Sequence, residues 1–443
     1  MMKGLILTYL MTFGGAAVAL CRPYVGLLIY VAFAILKPDA LWYWSVPEGN
    51  YSRIVAIATI IGWAVHGFGA WQFGRGRGVV VALLGYSAWA ALSALFATNE
   101  ELAWDFVSGL CKIALPFLVG ITLIDSLQRL KQLAWVIVLS QGYLALEFNR
   151  AFYAGTNTLL ESGFAKMDNN SVAIALVTCV GLAFFLGLHS QRWWQKCLAW
   201  GAAALMAHAV IFSLSRGGML ALGVTGLVSF ALIEKRPKQI LIFIMAVLVV
   251  VRMVGPEVRA RLQTAFVPVE ARDASAVSRT RLWADCWDSM LEHPVFGVGP
   301  DNWPVVATNY GWPAGKEGHT LWLQIGAELG VPGLVLLLTF YGLCLVRLWP
   351  IARGRRAVCD PSMRQLAQMV IAAISGFAVA AQFVSLEALE LPYYVTLIGA
   401  GVLKLCSANE DSLPENLGVS DQWVLNRELV ASQGGQLAAG LMP

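Results

Sequence analysis

Charge is what this chain has least of. Of its 443 residues only 13% are Asp, Glu, Lys or Arg, about half the share of an ordinary soluble domain. That shortage excludes a fold whose whole surface meets water. The net charge of +4 is too small to make a nucleic-acid surface. Histidine is scarcer still, with five in the chain. Cysteines stand at 21, 111, 179, 197, 286, 344, 359 and 406, with no C-x-x-C pair and no Cys/His cluster. The scatter speaks against both a disulfide framework and a zinc site. Seven read as small apolar residues in or beside membrane helices, and Cys286 alone lies in a polar loop. No internal repeat and no Gly/Ser linker divides the chain. No small-residue cleavage site precedes Cys21-Arg22-Pro23, so the first apolar run is expected to be retained as a span.

What is plentiful is apolar sequence: 58% of residues are hydrophobic and the mean hydropathy is +0.66. The bilayer is the only solvent that suits most of such a chain. Apolar runs occur at 5–20, 23–36, 54–71, 79–96, 110–124, 133–146, 172–188, 198–214, 217–233, 240–254, 321–348, 366–384 and 393–405. None alternates as a barrel strand does, so the runs are expected to be helices. The chain reads as an all-α polytopic membrane protein of 12–13 transmembrane helices. Its seventeen tryptophans and twelve tyrosines, several at run ends, suit interfacial belts.

Basic residues collect in alternate loops: Arg75 and Arg77, Arg129 and Lys131, Arg192 and Lys196, Lys235, Arg236 and Lys238, then Arg353, Arg355, Arg356 and Arg364. These loops are expected on the cytoplasmic side. The other connections then face outward, the longest being 255–320. The expected division is a membrane domain over 1–406, with the 255–320 loop inserted in it, and a polar cytoplasmic tail over 407–443.

Three stretches carry candidate chemistry. In "SLSRGGML" (213–220) two apolar runs meet almost without a loop. Together they exceed one bilayer crossing, so the chain must turn near Arg216, and Gly217-Gly218 permits it. Arg216 is either a snorkelling anchor or a fixed guanidinium whose planar fork matches phosphate oxygens. "SRTRLWADCWDSMLEH" (278–293) spaces its apolar residues as an amphipathic helix ending at Pro294. Arg279 and Arg281 at its start can share an anion with the helix's free N–H groups. Alternatively, Arg281 pairs with Asp285 one turn on. In "KEGHTLWLQIGAELGVPGL" (316–334), His319 stands where a polar stretch becomes an apolar one. Its ordinary pKa suits proton transfer at neutral pH. Glu317 and Glu328 are candidate orienting partners. Glu328 lies among apolar residues, where an unpaired carboxylate is costly. The Gly330-Val331-Pro332-Gly333 break lets 321–329 form a short interfacial helix. Lys112, near a span end, is a weaker candidate for a phosphate contact. His208 reads as a packed core histidine.

Taken together, these three stretches resemble the O-antigen ligase superfamily over roughly 197–349. The shared features are the Ser-Arg-Gly-Gly corner, the H-P-x-x-G-x-G loop and the histidine followed by E-x-G-x-x-G-L. Two features depart from the family: His319-Thr320 where many relatives carry His-Asn, and "SRTR" where Ser-Gly-Arg is common. "CRPYVGLLIYVAFAILKP" (21–38) is similar to the start of exosortase-associated O-glycosylation ligases. The resemblance implies a GT-C-like fold and a metal-independent, inverting transferase without cofactor in the bacterial inner membrane, acting on the periplasmic side. The donor would be an undecaprenyl-diphosphate-linked glycan, and the acceptor a hydroxyl of lipid A-core, of a protein or of another glycan. His319 would be the base, with Arg216 and Arg279 holding the diphosphate. Arg281, Lys112, Glu328 and Glu317 are further candidates for substrate contact. A repeat-unit polymerase and a lipid-linked glycan transporter remain alternatives. A transporter would place its ionisable residues near mid-bilayer, whereas these cluster at one face.

Overall fold

The computed structural model describes residues 2–253, 274–354, 360–386 and 389–411. Among these the chain is helical, without a strand. Each of the thirteen apolar runs falls on a helix of its own. They are α1 (2–21, with a π-helical turn at Leu10–Gly14), α2 (Pro23–Leu36), α3 (Tyr51–Val65), α4 (Arg77–Ala94), α5 (Glu100–Leu123), α6 (Leu127–Tyr153) and α7 (Asn169–His189). Then come α8 (Trp193–Phe212), α9 (Arg216–Leu232), α10 (Pro237–Met253), the amphipathic α11 (Ala274–Glu292), α12 (Leu321–Ala352), α13 (Pro361–Ala380) and α14 (Leu391–Asp411). Eight of these are long and apolar enough to cross a membrane, and α2, α3 and α9 are shorter apolar helices. The chain is an all-α polytopic membrane protein.

Helix α7 forms the centre. It is apolar all round and buried on nearly every face, as a helix enclosed by others must be. It packs against α6, α8, α9 and α13. Helices such as α10 instead turn Leu241, Ile244, Leu248 and Val251 outward, where lipid is the matching solvent.

The alternation of helices sorts the loops onto two faces, and cross-links hold each together. On the basic face, Arg75 N donates to Ser407 Oγ (2.9 Å), and Gln368 Nε2 donates to the carbonyls of Leu232 (3.0 Å) and Ala352 (3.2 Å). Arg364 pairs with Glu234 there at 3.3 Å. On the opposite face, Asn169 Nδ2 donates to Ser213 O (2.8 Å), Leu321 N to Ala381 O (2.8 Å) and Asn99 N to Asn302 Oδ1 (2.6 Å). Every candidate residue but Lys112 belongs to this second face. Residues 255–273 of the expected outer loop and 412–443 of the expected tail lie outside the described residues. The last helix continues to Asp411, five residues beyond the expected boundary at 406.

The rest of the outer segment is not a separate body. Phe296 is stacked between Trp89 (5.3 Å) and Phe96 (4.5 Å), and Ser93 Oγ donates to its carbonyl. The H-P-x-x-G-x-G loop is thereby fastened to the end of α4. Aromatic stacking of this kind adds about 0.5–1.5 kcal/mol per pair beyond burial.

Candidate active site

The site is built on two backbone breaks. The first is at Gly330, which has φ 68° and ψ −175° in the course of α12. A Cβ there would lie 2.3 Å from Val295 O, so only glycine fits. The break separates 321–329 from the long remainder, as the Gly-Val-Pro-Gly sequence suggests. It also frees the carbonyls that close this short helix. Val298 N bonds to Ala327 O (3.0 Å), Gly299 N to Glu328 O (2.9 Å) and Trp89 Nε1 to Leu329 O (2.9 Å). The orphan acceptors of a helix end thus become the seat of the loop at 298–303.

The Glu328 side chain completes that seat. It is fully buried, and its carboxylate accepts from Asp301 N (2.9 Å), Trp303 N (3.2 Å) and Gln324 Nε2 (3.0 Å). The carboxylate has partners, as its apolar setting requires. They are donors of the protein itself, so Glu328 braces the loop. Removing it leaves the buried donors Trp303 N and Gln324 Nε2 unsatisfied, each costing about 1–3 kcal/mol, and frees Asp301 N. Glu328→Ala is therefore expected to lower the thermal unfolding midpoint clearly, with Glu328→Gln intermediate. A thermal shift measurement in detergent checks this.

The second break is the corner between α8 and α9. Leu214 takes φ 57°, Ser215 Oγ accepts from Gly218 N (3.2 Å), and Arg216 opens α9 as its first residue. Ser213 O receives the Asn169 side chain from the start of α7. A Cβ on Gly217 would meet the Phe383 ring at 2.9 Å, and Phe383 in turn faces Trp283 of α11 at 6.3 Å between centroids. The corner, the start of α7, the start of α11 and the segment after α13 thus meet at one end of the bundle.

His319 sits at this junction, itself in the left-handed region with φ 52°. Such backbone is sparsely populated by non-glycine residues and persists where surroundings enforce it. They do so here. Gly318 N donates to Gln324 Oε1 (2.8 Å), and a Cβ on Gly318 would lie 2.9 Å from Cys286 Sγ. Cys286 is fully buried in a small core with Leu282 and Trp303, not lodged in a polar loop as the sequence suggested. Amphipathic helix α11 provides this core, which is why the helix matters to the site.

Burial, then the charges of Lys316 and Arg279, hold the His319 pKa down at about 4, against a weaker upward pull from Asp168. The ring is neutral at physiological pH. Its Nε2 lies 3.3 Å from Lys316 Nζ. An ammonium can only donate, so Nε2 accepts and the ring proton sits on Nδ1. Lys316→Gln removes one depressing charge. The His319 pKa is expected to rise in that variant, as a histidine titration by NMR would show.

Neither glutamate orients the histidine, contrary to the sequence expectation. Glu328 is committed to the loop, and no hydrogen bond joins Glu317 to His319 among the described residues. Glu317 is exposed at the rim, with its carboxyl pushed up by local burial and then by Asp168 and Asp301, while Lys316 pulls it down. Asp168 caps α7 through Ser171 N (2.8 Å) and also accepts from Asn170 (3.1 Å). Burial pushes its carboxyl up, but these bonds and the His319 ring bring it below its ordinary value.

The two arginines of α11 separate cleanly. Arg281 pairs with Asp285 at 3.9 Å, lies over the Trp312 ring at 5.4 Å and is 69% exposed. This is the ion pair one turn on that the spacing allows. Arg279 is the one whose charge reaches His319. Lys112 does not join them. It lies on α5 in a separate groove with Tyr30, Arg53 and Ser108. Sequence reading missed Lys316 and Asp168 as members of the site. Lys316 stands three residues before His319, and Asp168 lies far off in the chain, visible only as an Asp-x-x-Ser cap. Among the described residues no three His, Cys, Asp or Glu side chains come together as a metal site.

Residues 201–338 match the family model for O-antigen ligase. The segment is thus similar to O-antigen ligases over 138 of the 443 residues. The matched segment contains Arg216, Arg279, Lys316, His319 and the Glu328 brace, while Asp168, whose charge reaches His319, lies outside it. Residues 1–187 match a second model, described as a family of unknown function, DUF5935. That match says nothing of the likeness to exosortase-associated ligases. No curated protein matches the chain.

Proposed function

We propose that the protein transfers a glycan from an undecaprenyl-diphosphate carrier to an acceptor hydroxyl at the periplasmic face of the bacterial inner membrane. The observation that carries this reading is the placement of His319 at the α8–α9 junction, 3.3 Å from Lys316 Nζ and within reach of the Arg279 charge, on the face opposite the basic loops and in the segment similar to O-antigen ligases.

The acceptor hydroxyl approaches His319 Nε2 in place of the Lys316 ammonium. As its oxygen bonds to the anomeric carbon from the face opposite the leaving group, its proton passes to Nε2. The bond from that carbon to the diphosphate oxygen breaks, and the electron pair leaves with undecaprenyl diphosphate. Inversion at the anomeric carbon follows. Arg279 and Arg216, as forked guanidiniums, stabilise the charge developing on the diphosphate. Lys316, released from Nε2, is a third cation for it. Glu317, Arg281 and Lys112 stand outside this set, with Glu317 close enough to the rim to contact an acceptor.

The test is transfer from a purified lipid-linked donor to candidate acceptors, with products identified by mass spectrometry. Attachment to lipid A-core or protein supports a ligase. Chain extension alone would make the protein a polymerase, and donor movement without transfer a transporter. Transfer is expected to persist in EDTA. Loss that a divalent metal restores would refute the metal-independent mechanism.

A further inference from the structure

The motif "CRPYVGLLIYVAFAILKP" carries next to its last residue a lysine, Lys37, that the transfer site does not use. Lys37 closes α2 in the left-handed region (φ 42°, ψ 73°), with its N–H bonded to Phe33 O at 2.9 Å. A second lysine, Lys166, is also left-handed (φ 69°) and follows the left-handed Ala165. Lysine seldom adopts such backbone in proteins, and strain of this kind tends to collect at ligand-binding positions.

Both lysines line one cavity of about 230 Å³ between α2, α6, the start of α7 and the segment before α14. Gln141, Glu390, Phe148 and Phe164 share its wall. Glu390 is raised by burial, and its carboxylate accepts from the Tyr394 hydroxyl. Among the described residues, neither lysine makes an ion pair with it or with any other carboxylate. Two cations against one carboxylate leave the cavity positive. Its volume lies below the roughly 300–1,000 Å³ of pockets for drug-sized ligands, so it suits one sugar-sized group. Phenylalanine rings suit the C–H faces of a sugar, the amide and carboxylate suit its hydroxyls, and lysines suit an anionic substituent. Met167 of the cavity wall is followed in the chain by Asp168, whose charge reaches His319.

From this placement we infer that the Lys37–Lys166 cavity is a subsite for an acidic saccharide unit, bearing a carboxylate or phosphate, of a substrate handled at His319. The inference rests on the transferase function proposed above and adds the substrate's charge class. The acidic unit can belong to the donor glycan or to the acceptor.

The experiment uses the full chain in detergent micelles, with D-glucuronate and glucose 6-phosphate as probes and glucose as the neutral control. Saturation-transfer NMR measures binding. Both acidic probes are expected to bind, and glucose more weakly. Lys37→Gln and Lys166→Gln should each weaken the acidic probes by about tenfold, the scale of one charge-assisted hydrogen bond. Lys37→Arg should restore part of the loss, which separates charge from misfolding. His319→Ala should leave probe binding intact, so failure of the transfer chemistry and failure of this subsite are read apart. In transfer assays the lysine variants should raise KM for the donor alone if the donor carries the acidic unit, and for the acceptor alone if the acceptor does. Equal binding of glucose and glucuronate, unchanged binding in both glutamine variants, or unchanged KM for both substrates would overturn the inference.

Discussion

Replacing His319 by asparagine is expected to lower glycan transfer by about 10²- to 10⁴-fold, the range a positioned general base contributes. Asparagine tolerates the left-handed backbone at this position better than most residues. The loss should therefore come without a fall in thermal stability, and His319→Ala should show a similar deficit. The wild-type pH profile carries a further expectation. Free protein keeps His319 neutral down to about 4. The kcat/KM profile should thus stay flat on its acid side until the pH falls toward that value, then drop as the ring is protonated. A bound diphosphate offsets the Lys316 and Arg279 charges that hold the pKa down, so the acid limb of kcat should lie at higher pH. In His319→Asn this limb should be missing from the residual activity. An asparagine variant with wild-type turnover would remove the base assignment.

Neutralising Arg279 is expected to cost about 10²- to 10³-fold in kcat, the scale of a lost electrostatic contact to developing charge. Arg281→Gln, two residues away, should stay near wild type because its guanidinium is held by Asp285 and Trp312. This contrast makes the pair informative, since both variants carry the same change in net charge. Arg279→Lys and Arg216→Lys should recover only part of the activity, because lysine keeps the charge but loses the planar fork. Equal losses in Arg279→Gln and Arg281→Gln would mean that the outer helix contributes only a diffuse positive field.

Much of the fold could be read directly. Each apolar run lies on its own helix, because hydropathy reports burial in lipid with little dependence on tertiary contacts. The α8–α9 corner was forced by length, since the two runs exceed one crossing, and Gly217-Gly218 marked where the turn falls. The Gly330 break was equally plain. The partners of side chains were not. Glu328 could be said to need a partner, but not that Asp301 N, Trp303 N and Gln324 supply it, because those contacts depend on how the loop folds back over the broken helix. Cys286 read as a cysteine in a polar loop because the small core around Trp303 exists only in three dimensions. Only the family resemblance told Arg279 from Arg281 in sequence, and the Asp285 and Trp312 contacts of Arg281 separate them in space. Asp168 lies some 150 residues from His319 in sequence, so nothing local could link them.

A titration of the five histidines in ¹⁵N-histidine-labelled protein, assigned through His319→Asn, tests most directly whether a neutral imidazole is held beside Arg279. His319 should titrate at about 4 in the wild type, and its pKa should rise in Arg279→Gln and in Lys316→Gln. A His319 that titrates near the ordinary histidine value of about 6.5, and does not respond to either substitution, would contradict the proposed arrangement of base and cations.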